Sequence, residues 1–335
     1  MLPEPYMDVE LDLPDRRDGK VRASFAWGND RLFVTTDRLS AFDRVIAGVP
    51  YKGQVLNQLA AWWFARTADI VANHVVAVPD PNVLLARSAM PLPVEVVVRG
   101  VITGVTSTSI WQMYAAGQRT VYGHRLPDGL VKNERLPAAI ITPTTKAQHG
   151  GHDEPLTCAD VVERGLVAGH MWDEVQRVAL ALFARGQQVA GDAGLILADT
   201  KYELGLSDDG TLLLIDEVHT PDSSRYWVAA TYDERLGAGD EPESLDKEVV
   251  RRALLDAGYR GDGPPPALDP EVWSATSARY VDAYERLTGT PFVKGSYPVG
   301  PRIASAVGAM SGTTDETDET DSAGTTDTKA VARDC

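Results

Sequence analysis

A mixed α and β protein, built as two closely packed domains or as one large α/β or α+β unit, is what the 335-residue sequence predicts. Three observations support it. The length allows a sizeable core. Apolar residues make up 44% and charged residues 24%, the balance of a globular chain. Extended runs joined by turn residues occur beside stretches of helical period, and no repeat of 20–50 residues is present.

The first extended pair is Val21–Trp27 and Arg31–Thr36, joined by Gly28-Asn29-Asp30, a hairpin pattern. Gln54–Ala65 has helical spacing, with Leu56, Leu59, Trp63 and Phe64 near one face. Val94–Ile102 is β-rich and reads as a central strand carrying one charge, Arg99. Pro127–Pro155 has no sustained period, and long irregular segments of this kind tend to be functional. Asp173–Gln188 is an amphipathic helix through Val175, Val178, Ala179, Leu182 and Phe183, closed by Gly191 and Gly194. Leu195–Leu206 and Leu212–Val218 flank Ser207-Asp208-Asp209-Gly210 and form the clearest hairpin of the chain. Pro270–Thr288 reads as the final helix. From Ser311 onward the Thr/Asp/Glu-rich tail buries too little apolar surface to order itself.

The formal charge is −16, which argues against a generally basic nucleic-acid binder. Two cysteines, Cys158 and Cys335, cannot build a disulfide framework or a Cys-rich zinc site, so a reducing cytoplasm is expected. No apolar run approaches the roughly 20 residues that span a bilayer, and the acidic N-terminus lacks a secretory apolar region. Neither GxxxxGK[ST] nor GxGxxG occurs, which argues against a P-loop or Rossmann site.

The second hairpin carries the chemistry. Alternation puts Asp199, Lys201 and Glu203 on one face, and Leu214, Asp216 and Val218 on one face of the partner. A four-residue loop pairing Leu206 with Thr211 sets Glu203 opposite Leu214 and Lys201 opposite Asp216. Glu203 and Asp216 are then diagonal neighbours, and a one-residue slip would separate them. Two converging carboxylates suit Mg²⁺, which takes one or two carboxylates plus substrate phosphates. The plain alternative is a solvated hairpin with cross-strand Lys–Asp pairs. The following Thr220-Pro221-Asp222-Ser223-Ser224-Arg225 weighs against it, as an anion cradle. In the first hairpin, Gly19-Lys20-Val21-Arg22 places Lys20 and Arg22 on one face, either as a cover for a triphosphate or as ordinary basic residues of a surface hairpin.

Together these segments resemble the SAICAR synthetase family (phosphoribosylaminoimidazole-succinocarboxamide synthase). The matching stretches are GKVR (19–22), TDRLSAFD (36–43), KGQVLNQLAAWWF (52–64), PVEVVVRG (93–100), LPDGLVKNERLPAAIITPTTKA (126–147), GHDEP (151–155), LADTKYELG (197–205) and DEVHTPDSSRYW (216–227). The resemblance implies an α+β fold with two sheet-containing lobes and a cleft between them, its nucleotide domain similar to ATP-grasp and kinase-like domains. It implies an ATP-binding lobe at 1–92, a larger lobe at 93–310 holding the ribonucleotide, Mg²⁺ and aspartate sites, and a disordered acidic tail at 311–335. Implied substrates are ATP, L-aspartate and an azole carboxylate ribonucleotide, with no nucleic acid or membrane partner and with homo-oligomers allowed.

By the same resemblance, Lys20 and Arg22 lie near the ATP phosphates, Ala86–Leu92 frames adenine, and Glu203 and Asp216 hold Mg²⁺. Arg99, Ser107, Ser224 and Arg225 hold the ribonucleotide. Asp199, Lys201 and Lys146 form the catalytic group, and His152 and Asp153 line the aspartate region. Val101 and Val105 depart from the family pattern near the ribonucleotide. Two carboxylate substrates therefore stay open: the aminoimidazole of purine synthesis and an analogous azole or pyrazole nucleotide. A phosphotransferase using the same hairpins is a further alternative.

Overall fold

The computed structural model describes residues 2–42, 44–106, 108–146 and 154–318, side chains of 312–318 excepted. Its first sheet starts from the predicted N-terminal hairpin. Arg22–Trp27 pairs with Asp30–Thr35 through a two-residue turn, Gly28-Asn29, so Asp30 belongs to the strand. Gly28 has φ 57°, the positive value a tight hairpin needs at its first central position. Arg17–Asp18 adds on one side, and Val83–Arg87 followed by the edge strand Val75–Asp80 on the other, all antiparallel. Sequence reading missed the last pair because Pro79 and Pro81 interrupt it, but an edge strand tolerates a missing donor.

Alternation gives this sheet two unlike faces. Ala23, Phe25, Leu32, Val34 and Val83 are buried against Val299, Ile303 and Val307 of a helix spanning Val299–Asp318. Arg22, Ser24 and Phe33 turn the other way. That helix corrects two expectations. Pro270–Thr288 is a helix as expected, but not the last, and the backbone stays helical from Ser311 to Asp318. A helix nucleated by its packed i, i+4, i+8 residues propagates cheaply into poor helix formers. The helix also returns the chain to the N-terminal sheet.

The second sheet is organised around the twelve-residue strand Leu195–Leu206. Its borders are Val94–Val101 and Met90–Pro91 on one side, Ser224–Val228 and Leu212–Ile215 on the other. The irregular segment 127–155 contributes Arg135–Ile141 at the edge beyond Val94–Val101 and Thr144–Thr145 further along it. Helix Gly169–Asp192 covers one face with Val175, Val178, Ala179, Leu182 and Phe183.

A register irregularity between Leu197 and Asp199 reverses the strand's alternation. Before it, Leu195 and Leu197 enter the main core; after it, Tyr202 and Leu204 do. Asp199, Lys201 and Glu203 are thereby delivered to the opposite face. An extra residue at a bulge has this effect on every side chain that follows.

Helix Lys52–Arg66 packs Leu59, Ala60, Trp63 and Phe64 into the same core. It starts where no side chain fits: a Cβ on Gly53 would meet the Thr35 carbonyl oxygen at 2.6 Å and Asn82 Nδ2 at 2.7 Å. Gly53→Ala is expected to destabilise the protein by about 1–3 kcal/mol, measured by denaturant titration. A loss below about 0.5 kcal/mol, the range of neutral surface changes, would mean that the helix start relaxes freely.

Candidate functional site

A cavity of about 670 Å³ takes its walls from both sheets. The first sheet and its leading loop supply Lys20, Arg22, Ser24 and Phe33; the second supplies Lys201, Glu203, Asp216 and Ser223. A smaller recess of about 240 Å³ shares Ser24, Phe33, Glu203 and Asp216 with it and is closed by Arg87–Ala89, Pro91, His74 and Ile215. The larger space is lined mainly by charge. The smaller is partly apolar, with Phe33, Ala89, Pro91 and Ile215 in its wall, a lining that suits an aromatic base.

Glu203 and Asp216 meet here, but not by the expected register. Glu203 pairs with Ile215 and Leu206 with Leu212, one residue away from the expected pairing. The cause is the loop. Gly210 has φ 81°, the Gly210 N–H donates to the Ser207 carbonyl at 2.9 Å, and the Ser207 N–H donates to Thr211 at 3.0 Å. This is a three-residue loop with a left-handed glycine, not a four-residue loop. The one-residue slip would send Asp216 into the core. Instead the strand stops at Ile215, and Asp216 has φ 67°, which ends the alternation and leaves its carboxylate on the cavity wall.

Each carboxylate already has cationic partners. Lys146 Nζ donates to Glu203 at 2.5 Å and Lys201 Nζ at 2.6 Å. Burial raises the Glu203 carboxyl, but the two ammonium groups outweigh it and hold it at about 2. Lys201 also donates to Glu95 at 2.7 Å. Burial works against its charge, yet Glu203 and Glu95 together raise Lys201 above its ordinary range, so it stays a cation. Arg22 reaches across from the first sheet to Asp216 and, at 3.0 Å, to Glu217.

Asp199 is 5% exposed and does not line the cavity. It stands opposite Arg99 on one neighbouring strand and Arg225 on the other, and binds both guanidinium groups, Arg99 at 2.9 Å. Its carboxylate is thus engaged by two arginines. Ser224 is buried and hydrogen-bonds Thr200 at 2.8 Å; its neighbour Ser223 is the hydroxyl on the cavity wall. Arg225 also borders Thr103, Gly104 and Val105, and Thr106 of the same loop lines the main cavity. Ser107, His152 and Asp153 lie outside the described residues.

Sequence reading missed Lys247, Arg251 and Asp222, all on the cavity wall. The i, i+4 spacing of Lys247 and Arg251 at the start of helix Glu248–Asp256 was an available signal. Asp222 was visible only as part of a turn. Its side chain is 5% exposed and is bound by fully buried Lys52 at 2.7 Å and by the Tyr280 hydroxyl at 2.6 Å.

Among the described residues no three His, Cys, Asp or Glu side chains gather as a metal cage. Two carboxylates that need substrate oxygens to complete a coordination shell are the pattern of nucleotide-bound magnesium, so the donor set fits that ion. A cleft in which cations and paired carboxylates face one another between two antiparallel sheets defines an enzyme of anionic, phosphorylated substrates.

Comparison with known proteins agrees. The SAICAR synthetase family model matches residues 15–266. A phosphoribosylaminoimidazole-succinocarboxamide synthase of Legionella pneumophila is 48% identical over 88% of this chain and 95% of its own. The chloroplastic synthase of Vigna aconitifolia is 53% identical over 71% of this chain and 70% of its own. The solved SAICAR synthase of Saccharomyces cerevisiae, complexed with SAICAR, superimposes with a TM-score of 0.74 at 32% identity, covering 86% of this chain and 99% of that one. The chain belongs to the SAICAR synthetase family, and its mixed α and β fold with several sheets matches solved members.

Proposed function

We propose that the protein joins the amine of L-aspartate to the carboxylate of carboxyaminoimidazole ribonucleotide, with ATP as co-substrate, in cytoplasmic purine biosynthesis. The observation that carries this is the cleft itself: Glu203 and Asp216 converge beside Lys20, Arg22 and Lys201, next to a base-sized recess.

A carboxylate resists attack by an amine because its negative charge is delocalised. One of its oxygens takes the γ-phosphoryl group of ATP, and the bond to ADP breaks. The aspartate nitrogen then attacks the carbonyl carbon, the C–O bond to phosphate breaks, and the amine proton leaves with phosphate or solvent. The protein's tasks are to align anions and to neutralise them. Lys20 and Arg22 face the polyphosphate. Lys201, held protonated, serves as a fixed cation beside the reacting carboxylate, with Lys146 nearby. Glu203 and Asp216 would hold magnesium, which neutralises the β- and γ-phosphate oxygens when bound.

The recess at Arg87–Pro91 takes adenine. Arg99 and Arg225, set by Asp199 and supported by Ser224 and residues 103–106, hold the ribonucleotide phosphate. In domain terms, the first sheet with helix Val299–Asp318 forms a nucleotide lobe akin to ATP-grasp domains, and the second sheet forms the acceptor lobe.

Incubation with ATP, Mg²⁺, aspartate and a panel of azole carboxylate ribonucleotides tests the assignment. It predicts aspartate-dependent ADP release and an amide product of succinocarboxamide mass, with the aminoimidazole preferred in kcat/KM. ADP release without aspartate would indicate a phosphotransferase. Arg225→Ala is expected to raise the KM for the ribonucleotide by roughly tenfold or more, the value of a charge-assisted hydrogen bond, and to leave that for ATP little changed. A defect confined to ATP would remove Arg225 from the ribonucleotide site.

A further inference from the structure

We propose that Arg22, anchored by Glu217, acts as a resident cation on Asp216 and leaves that carboxylate only for the phosphates of a nucleotide that brings the metal, so that bare divalent ions are kept from it. The inference rests on the reading of Asp216 as a metal ligand and adds an order of events to it.

The bridge spans the cleft. Arg22 begins a strand of the first sheet, and Asp216 and Glu217 follow the last strand of the second-sheet hairpin, 194 positions away. One terminal nitrogen of Arg22 binds Asp216 and the other binds Glu217 at 3.0 Å. The guanidinium is mostly withdrawn from water, with a side-chain exposure of 16%. Such a fork holds its charge in one place and gives it up only for another forked acceptor.

A bare cation approaching Asp216 would meet this charge at contact distance, because Glu217 keeps the guanidinium beside Asp216 even when that carboxylate turns to the ion. A polyphosphate changes that: its oxygens accept the Arg22 fork, and Asp216 becomes free for the ion. Glu203 differs, and the exclusion of bare ions is carried by Asp216. Lys201 keeps Glu95 as a partner at 2.7 Å when Glu203 turns elsewhere, so its release leaves no buried ammonium without a counter-charge.

The test measures Mn²⁺ binding to the full chain without nucleotide, by electron paramagnetic resonance of the free ion. Wild type and Arg22→Lys, which keeps the charge, are expected to bind weakly. Arg22→Gln is expected to bind roughly tenfold or more tightly, and Arg22→Gln combined with Asp216→Asn to lose that gain. Mn²⁺–ADP binding to wild type and Asp216→Asn is measured alongside. If Asp216→Asn weakens it tenfold while Arg22→Gln binds bare Mn²⁺ no more tightly than wild type, the exchange is wrong and the metal-ligand assignment stands. If Asp216→Asn leaves Mn²⁺–ADP binding unchanged, both fall.

Discussion

Glu203→Gln is expected to lower kcat by on the order of 10²–10³-fold, the usual cost of removing one preorganised electrostatic group from a transition state. Glutamine preserves the volume but removes the charge that gathers Lys146 and Lys201. Two effects combine. On the proposed reading magnesium loses a carboxylate ligand, and two ammonium groups lose the anion that sets their places. Lys201 retains Glu95, so the fold survives and the defect is one of turnover. Steady-state kinetics at saturating magnesium, with a thermal melt as control, measure it. A rate within about threefold of wild type, under 1 kcal/mol of barrier, would remove Glu203 from the site.

Lys52→Met has the largest expected effect on stability. Lys52 is fully buried, donating to the Arg38 carbonyl at 3.0 Å and to Asp222 at 2.7 Å. Methionine fills the space but leaves a carboxylate buried without its ammonium partner, a change that costs about 3–5 kcal/mol. Lys52→Met with Asp222→Asn should recover much of that, because no unpaired charge remains. Full stability of the single variant in denaturant would contradict the assignment.

The same pair has a pH signature. Burial raises the Asp222 carboxyl, but Lys52 and Lys247 outweigh it and lower it from 3.8 to about 2. The folded state therefore binds this proton less readily than the unfolded chain. The resulting stabilisation is present above the carboxyl range of the unfolded chain and is lost as pH falls through about 2. In Lys52→Met this acid-side slope should shrink.

Much of the site was legible because period-two alternation is a strong rule: Lys201 and Glu203 share a face, and Lys20 and Arg22 meet the cavity. The exact pairing was not legible, because it depended on one left-handed glycine, Gly210, and one left-handed aspartate, Asp216. The hairpin rule alone predicts that the observed one-residue slip separates the two acids. The structure recovers their convergence through local backbone conformation, which side-chain pattern does not encode. Tertiary contact likewise overrode composition at Val299–Asp318, where glycines and threonines disguise a helix anchored by Val299, Ile303 and Val307. The enclosure of Asp199 was not legible for a different reason: two arginines reach it from strands distant in sequence, so only the assembled sheet shows it.

A crystal structure of the protein with ADP and magnesium tests the central claim most directly. It should show the ion about 2.0–2.1 Å from a carboxylate oxygen of Glu203 or Asp216, the adenine against Arg87–Pro91, and the Arg22 guanidinium on phosphate. An ion bound with neither carboxylate in its shell, or a nucleotide seated outside the space between the two sheets, would contradict it.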